Sequence, residues 1–185
     1  EIRAIAEKNG FFNADKPDSQ DICFVTNGDY GDFLEKFRGK PYPEGHFVDE
    51  SGQKLGKHRG IVRYTIGQRK GLGLALKEPM YVVGKDLGKN QVILSTKEGL
   101  HSEGLLAYDF NWISMDPPKT EYPVTAKTRY NAKPVPAFVS CEEDGTVKVR
   151  FEKPERAVAP GQAVVLYDGD IVVGGGTIKQ ALKKV

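Results

Sequence analysis

Gln162-Ala-Val-Val-Leu-Tyr-Asp-Gly-Asp-Ile-Val-Val-Gly-Gly-Gly-Thr-Ile178 holds two short aliphatic runs split by Asp168-Gly169-Asp170. Short runs rich in β-branched residues and bounded by turn formers read as strands. The same grammar extends upstream, with strands expected over 105–113, 122–130, 136–141 and 146–151. Asp116-Pro-Pro118, Asp144-Gly145 and Ala159-Pro-Gly161 punctuate them. Short strands at regular spacing predict a small closed barrel, which leaves no sheet edge unpaired.

Before the barrel, 46–49 and 53–55 flank a Glu50-Ser51-Gly52 turn, and 81–85 and 91–94 flank Gly88-Lys89-Asn90. Both pairs read as hairpins. The chain opens on a helix with Ile2, Ile5 and Ala6 on one face and Gly10 as its stop. A second helix is expected over 29–38, with Asp29 as N-cap, Phe33, Leu34 and Phe37 on one face, and Gly39-Lys40-Pro41 ending it. The segment 100–104 is a soft boundary. The fold class expected is mainly β with a few short helices: a small α+β central domain followed by a β-barrel.

The chain has 185 residues, 39% hydrophobic content and a formal net charge of +2, enough for two small cores and almost neutral overall. The charge is unevenly placed. Lys54, Lys57, Arg59, Arg63, Arg69, Lys70 and Lys77 lie between Ser51 and Lys77 with no acid among them. Such a run creates a local positive field that attracts phosphate. Within it, Gly60-Ile-Val-Arg-Tyr-Thr-Ile-Gly67-Gln-Arg-Lys-Gly71-Leu-Gly73 combines cations, an aromatic ring and four glycines, which permit positive φ and close backbone approach. A nucleic-acid contact and a solvated basic loop joining strands both fit this pattern. A dinucleotide fingerprint does not, because the third glycine is missing after Gly71-Leu-Gly73, and a Walker loop does not either.

Lys127-Thr-Arg129-Tyr130-Asn131 is a second basic and aromatic cluster, with no acid from Val124 to Ser140. Arg and Tyr there can stack on bases or pair with phosphate, and an ordinary amphipathic strand has the same pattern. Gly174-Gly175-Gly176 lacks the Lys-Ser/Thr of a phosphate loop, so a bulge or close packing is expected. His46, His58 and His101 are scattered without metal-ligand spacing, and no metal is predicted.

Two cysteines, Cys23 and Cys141, are too few for a disulfide scaffold at this length. With no apolar run long enough to span a membrane, they place the protein in the cytoplasm. Cys141, beside Phe138-Val139, reads as a small core residue or an incidental thiol. Cys23 lies in Asp18-Ser-Gln-Asp-Ile-Cys23-Phe24. A thiol reacts as its thiolate, and Asp18 and Asp21 disfavour that charge unless a base from elsewhere offsets them. The opening on Glu1, in mid-helix, reads as a piece of a longer protein.

Several stretches together resemble one family, the bacterial tRNA-specific 2-thiouridylases. They are Lys16-Pro-Asp-Ser-Gln-Asp-Ile-Cys23-Phe, Gly56-Lys-His-Arg-Gly60, Tyr64-Thr-Ile-Gly-Gln-Arg-Lys-Gly-Leu-Gly73, Tyr81-Val-Val-Gly84, Arg129-Tyr130, Ala159-Pro-Gly-Gln162 and Gly174-Gly-Gly176. They run in family order along nearly the whole chain, and the 64–73 stretch is the most specific.

The resemblance implies an enzyme of three parts: an ATP-binding domain of the PP-loop type, a central domain, and a barrel similar to those of elongation factors. On that basis 1–24 is the end of the catalytic domain with the cysteine-bearing segment, 25–103 the central domain and 104–185 the barrel. The family's Ser-Gly-Gly-x-Asp-Ser ATP motif and its first catalytic cysteine are not in this sequence, so the chain alone is expected to be inactive.

In the family, ATP adenylates the C2 oxygen of the wobble uridine, a cysteine persulfide delivers sulfur, and the two catalytic cysteines form a disulfide. Cys23 matches the persulfide position, and Arg129, Tyr130 and Gln162 match positions that contact tRNA. The implied partners are tRNA and a sulfur-donor relay protein or cysteine desulfurase, with ATP bound by the N-terminal domain. A reading of another class is a non-catalytic β-barrel module that binds RNA or a translation partner.

Overall fold

Along 147–151 the side chains alternate strictly: Val147, Val149 and Phe151 are buried, while Lys148 and Arg150 are exposed. That period of two puts every second residue on one face of a strand. The computed structural model describes residues 1–16, 25 and 29–183. Among them ten strands form. They are β1 (Gly45–Asp49), β2 (Lys54–His58), β3 (Tyr81–Asp86), β4 (Gln91–Ser95), β5 (His101–Trp112), β6 (Tyr122–Lys127), β7 (Val135–Cys141), β8 (Val147–Arg156), β9 (Ala163–Asp168) and β10 (Ile171–Leu182).

The last six close into a barrel in the order β10-β5-β8-β7-β6-β9, with all neighbours antiparallel. Its interior is aliphatic: Leu105, Val139, Val147, Val149, Val164 and Leu166 are fully enclosed. Mainly β with short helices, ending in a closed barrel, is therefore the architecture.

Two strand ends differ from expectation. The strand starting at Tyr122 stops at Lys127, because 128–134 turns, with the Ala132 N–H donating to the Arg129 carbonyl at 3.1 Å. β8 continues past Phe151 to Arg156, where polar residues pair with the start of β5 (Ser102 with Glu155, His101 with Arg156). The glycine triplet forms both a bulge and a close approach. The register shifts on either side of it, and a Cβ on Gly174 or Gly176 would stand 2.8 Å from the Phe110 ring.

β1 to β4 form a second sheet in the order β2-β1-β4-β3. The two expected hairpins are present, and β1 and β4 join them in parallel, His46 opposite Gln91. A parallel pair requires a long crossover. Here the crossover includes the basic, glycine-rich segment, which folds back so that Tyr64 and Leu72 pack with Phe47, Val82, Val92 and Leu94.

The chain divides into two units, 1–42 and 43–185. The first holds α1 (Ile2–Lys8) and α2 (Tyr30–Arg38). Asp29 caps α2, its carboxylate accepting from the Gly31 and Asp32 amides at 2.8 and 3.1 Å, and Gly39 ends it at φ +71°. Ile2, Ile5 and Phe37, all assigned to apolar helix faces, are exposed.

Candidate nucleic-acid interface

The basic segment is an ordered structure with its charges turned outward. Of its seven cations, Lys54, Lys57, Arg59, Arg69, Lys70 and Lys77 are exposed and Arg63 is half-buried, while Tyr64 and Leu72 are buried. Its glycines are needed for their backbone: Gly60, Gly67, Gly71 and Gly73 all have positive φ, between +71° and +104°. The Gly67 amide donates to the Val82 carbonyl at 2.8 Å and the Val82 amide to the Gln68 carbonyl at 2.9 Å, so the segment is stitched to β3 like a short strand. The Gln68 side chain clasps the turn, accepting from the Thr65 amide and donating to the Lys70 carbonyl, both at 3.0 Å.

Under the segment lies His58, 1% exposed, with its ring against Phe47 and Tyr64. The Gly60 amide donates to Nδ1 at 3.2 Å, and Nε2 faces the Asn90 carbonyl at 3.2 Å. Only the neutral ring, with its proton on Nε2, satisfies both contacts. Burial pushes the His58 imidazole below its ordinary value of 6.5, outweighing the Asn90 carbonyl, while His46 lowers it further and Glu44 raises it slightly.

The unfolded chain therefore binds this proton more readily than the folded one. The stabilising contribution is whole above about pH 6.5 and is lost as pH falls through the lowered folded value. The urea midpoint should drop between pH 7.5 and 5.5, with a shallower drop in His58→Gln. An equal pH dependence in both proteins would remove His58 as the cause.

The second basic cluster lies on a barrel rim. β6 ends at Lys127, which pairs with Val165 near the start of antiparallel β9, so Arg129 and Tyr130 just past the one strand and Gln162 just before the other lie at the same end of the barrel. Arg129 Nη2 donates to the Arg156 carbonyl at the end of β8, which fixes the guanidinium across that end. Tyr130 is 86% exposed, with Lys127 Nζ 5.7 Å from its ring centre, and the Gln162 side chain is exposed. Thr128 Oγ1 and Arg129 Nε are buried there without a protein partner, the kind of unmade hydrogen bond that needs an explanation in a native fold.

Rim and basic segment meet. A Cβ on Gly67 would lie 3.1 Å from the Ala157 Cβ, and Ala157 follows the residue whose carbonyl holds Arg129. The Arg156 guanidinium lies 5.6 Å from the centre of the Tyr81 ring on β3. The segment that carries one cluster thus touches, at Gly67 and Ala157, the barrel end that carries the other, about sixty residues away in sequence.

Three family profiles match the chain in succession. Residues 1–27 match "tRNA methyl transferase HUP domain", 31–96 "tRNA methyl transferase PRC-barrel domain" and 102–178 "Aminomethyltransferase beta-barrel domain". Curated relatives are named tRNA-specific 2-thiouridylase MnmA. The Acetivibrio thermocellus protein is 53% identical over 97% of this chain and 50% of its own length. Those of Thermoanaerobacter sp. and Clostridioides difficile are 48% and 46% identical over 99% and 98% of this chain and 50% of their own lengths. The chain belongs to the tRNA-specific 2-thiouridylase family. It spans about half the length of the curated relatives it matches.

Within this family member, the sites expected from sequence fall into two groups. Arg129, Tyr130 and Gln162 all lie at one end of the barrel. Cys23 lies outside the described residues, as do Asp18 and Asp21. Cys141 is half-buried against the barrel core with Sγ 3.6 Å from the Glu142 carbonyl. Among the described residues no group of three or more His, Cys, Asp or Glu could hold a metal ion, and no helix is long and apolar enough to cross a membrane.

Arg156, Ala157 and Gly67 were not singled out by sequence reasoning as links between the clusters. Ala157 adopts φ +53°, a conformation that a non-glycine residue gives no hint of in sequence.

Proposed function

We propose that this chain is the tRNA-gripping part of a tRNA-uridine 2-sulfurtransferase and carries its persulfide cysteine. The observation that supports this reading most is that the basic glycine segment touches, at Gly67 and Ala157, the barrel end that carries Arg129, Tyr130 and Gln162. Phosphate contacts position a nucleic acid, and an exposed ring offers a base a stacking face. Arg129 has a further qualification: its fork is already oriented by the Arg156 carbonyl, so less side-chain freedom is lost on binding.

In this reading residues 1–24 end the catalytic domain, 25–103 form the central domain and 104–185 the barrel. ATP is bound by the remainder of the longer protein and adenylates the C2 oxygen of the wobble uridine, turning a poor leaving group into a good one. Cys23 accepts sulfur from a donor protein, a relay protein or a cysteine desulfurase, and passes it to the activated carbon. The chain by itself binds tRNA and does not thiolate it.

Binding of an unmodified tRNA transcript to the 185-residue chain tests the grip. Affinity should fall steeply with salt as phosphate contacts release counterions. The double variant Arg129→Ala/Tyr130→Ala should lose about tenfold to a hundredfold, the scale of one stacked base plus one phosphate contact. Its salt slope should be shallower by about one unit. Equal affinity of variant and parent at low salt would refute the assignment.

A further inference from the structure

Beyond the rim, the basic segment folds around a cleft of ≈ 420 Å³, lined by 69, 71–74 and 76–80. That volume is within the range of about 300–1,000 Å³ typical of small-molecule pockets. Its walls are of two kinds. Leu72 is buried, and Leu74, Leu76 and Met80 are half-buried, forming an apolar floor. Arg69 and Lys77 are exposed at its lining, with Glu78 as the single acid.

The cleft is held in shape. Leu74 packs so tightly on β2 that a Cβ on Gly56 would overlap its Cδ2 at 2.4 Å, and the Gln68 clasp fixes the turn that carries Arg69. Gly73, at φ +71°, has no atom within 4 Å of where a Cβ would stand, so its side of the cleft is open. The segment reaches the cleft directly from Gly67, which touches the rim at Ala157.

We infer that this cleft receives one unstacked nucleotide of the RNA bound along the rim. The base lies against Leu74, Leu76 and Met80, and its phosphate lies between Arg69 and Lys77. An aliphatic floor accepts the face of any base, and two cations at the mouth match one phosphodiester. Glu78 beside them disfavours a second phosphate, which suits a single extruded nucleotide better than a backbone track. This inference rests on the tRNA-binding reading above.

Photo-crosslinking tests it with the 185-residue chain and tRNA transcripts carrying 4-thiouridine at single positions. One position should crosslink within residues 72–80. Arg69→Ala/Lys77→Ala, two exposed positions that leave the core intact, should reduce affinity about tenfold, flatten the salt slope by about one unit and abolish that crosslink.

Reduced affinity without any crosslink in 72–80 would mean a diffuse positive field and would overturn the site. Unchanged affinity in Arg69→Ala/Lys77→Ala, with Arg129→Ala/Tyr130→Ala still weakened, would overturn the cleft alone. No binding by the parent chain at low salt would overturn the tRNA reading and the cleft with it.

Discussion

Gly174→Ala should destabilise the barrel by about 3 kcal/mol, the upper end of what one added methyl costs in a packed interior. In a chain of this length that corresponds to a fall in Tm of roughly 6–12 °C. The new Cβ would stand 2.5 Å from the Asn111 carbonyl oxygen, 2.8 Å from the Phe110 ring and 3.2 Å from the Trp112 Cα. Two of these three are backbone atoms of β5, the strand paired with β10 at that point, Gly174 opposite Trp112. They cannot retreat without opening a ladder on which barrel closure depends.

Backbone dihedrals are not the reason, since Gly174 is not among the positive-φ glycines. The neighbours grade the effect. At Gly176 the close contacts are the Phe110 ring at 2.8 Å and the Tyr108 carbonyl at 2.9 Å, and at Gly175 the nearest is the Val164 carbonyl at 3.0 Å. Alanine should therefore cost most at 174, less at 176 and least at 175. Trp112 is the sole tryptophan and lies 4.5 Å from Phe110 between ring centres, so its fluorescence reports unfolding at the place disturbed. A Gly174→Ala melt that overlays the parent's would refute the packing account.

The same triplet shows how far the sequence could be read. Gly174-Gly175-Gly176 after a valine run is recognisable as a bulge or close-packing site, because nothing else in a strand interior tolerates so little side chain. Which ring occupies the space is a matter of register between β5 and β10, and local sequence does not encode it. The barrel strands were legible for a similar reason: alternation of buried and exposed residues is a local signal, clear at 147–151.

β8 beyond Phe151 was not legible, since Glu152-Lys-Pro-Glu-Arg156 has no apolar alternation and is held as a strand by pairing with His101 and Ser102. The parallel β1–β4 pairing was likewise hidden, because hairpin turns announce only neighbours in sequence. For the site, residue types and charge runs were visible. Their meeting depends on Gly67 approaching the Ala157 methyl and on Arg129 reaching a backbone carbonyl, and neither a methyl nor a main-chain carbonyl marks itself as a partner in the sequence.

Cys23→Ser in the full-length protein should reduce formation of 2-thiouridine to background when ATP, tRNA and a sulfur donor are supplied. Serine is nearly isosteric, so tRNA binding and adenylation of the base should survive, and the loss should fall on sulfur delivery alone. In the proposed sequence Cys23 first carries a second sulfur as a persulfide. The terminal sulfur attacks C2 of the adenylated uridine, and AMP departs with the oxygen. A thiolate from a second cysteine then attacks Cys23 Sγ, the bond between the two sulfurs breaks with its electrons passing to the thiocarbonyl, and a disulfide remains.

An alkoxide can neither hold the terminal sulfur nor close that disulfide, so no slower version of the same route exists for serine. The acids at Asp18 and Asp21 fit this chemistry better than they fit a simple thiolate nucleophile. In the proposed sequence the attacking group is a persulfide, a stronger acid than a thiol, which ionises more readily than a thiol would with two acids close by in sequence. Cys141→Ser is the matched control: its sulfur is packed against the barrel core, and thiolation should be unchanged. Thiolation at the parent rate in Cys23→Ser would move the sulfur carrier off Cys23, and a persulfide label found on Cys141 and not on Cys23 would assign that role to the barrel cysteine.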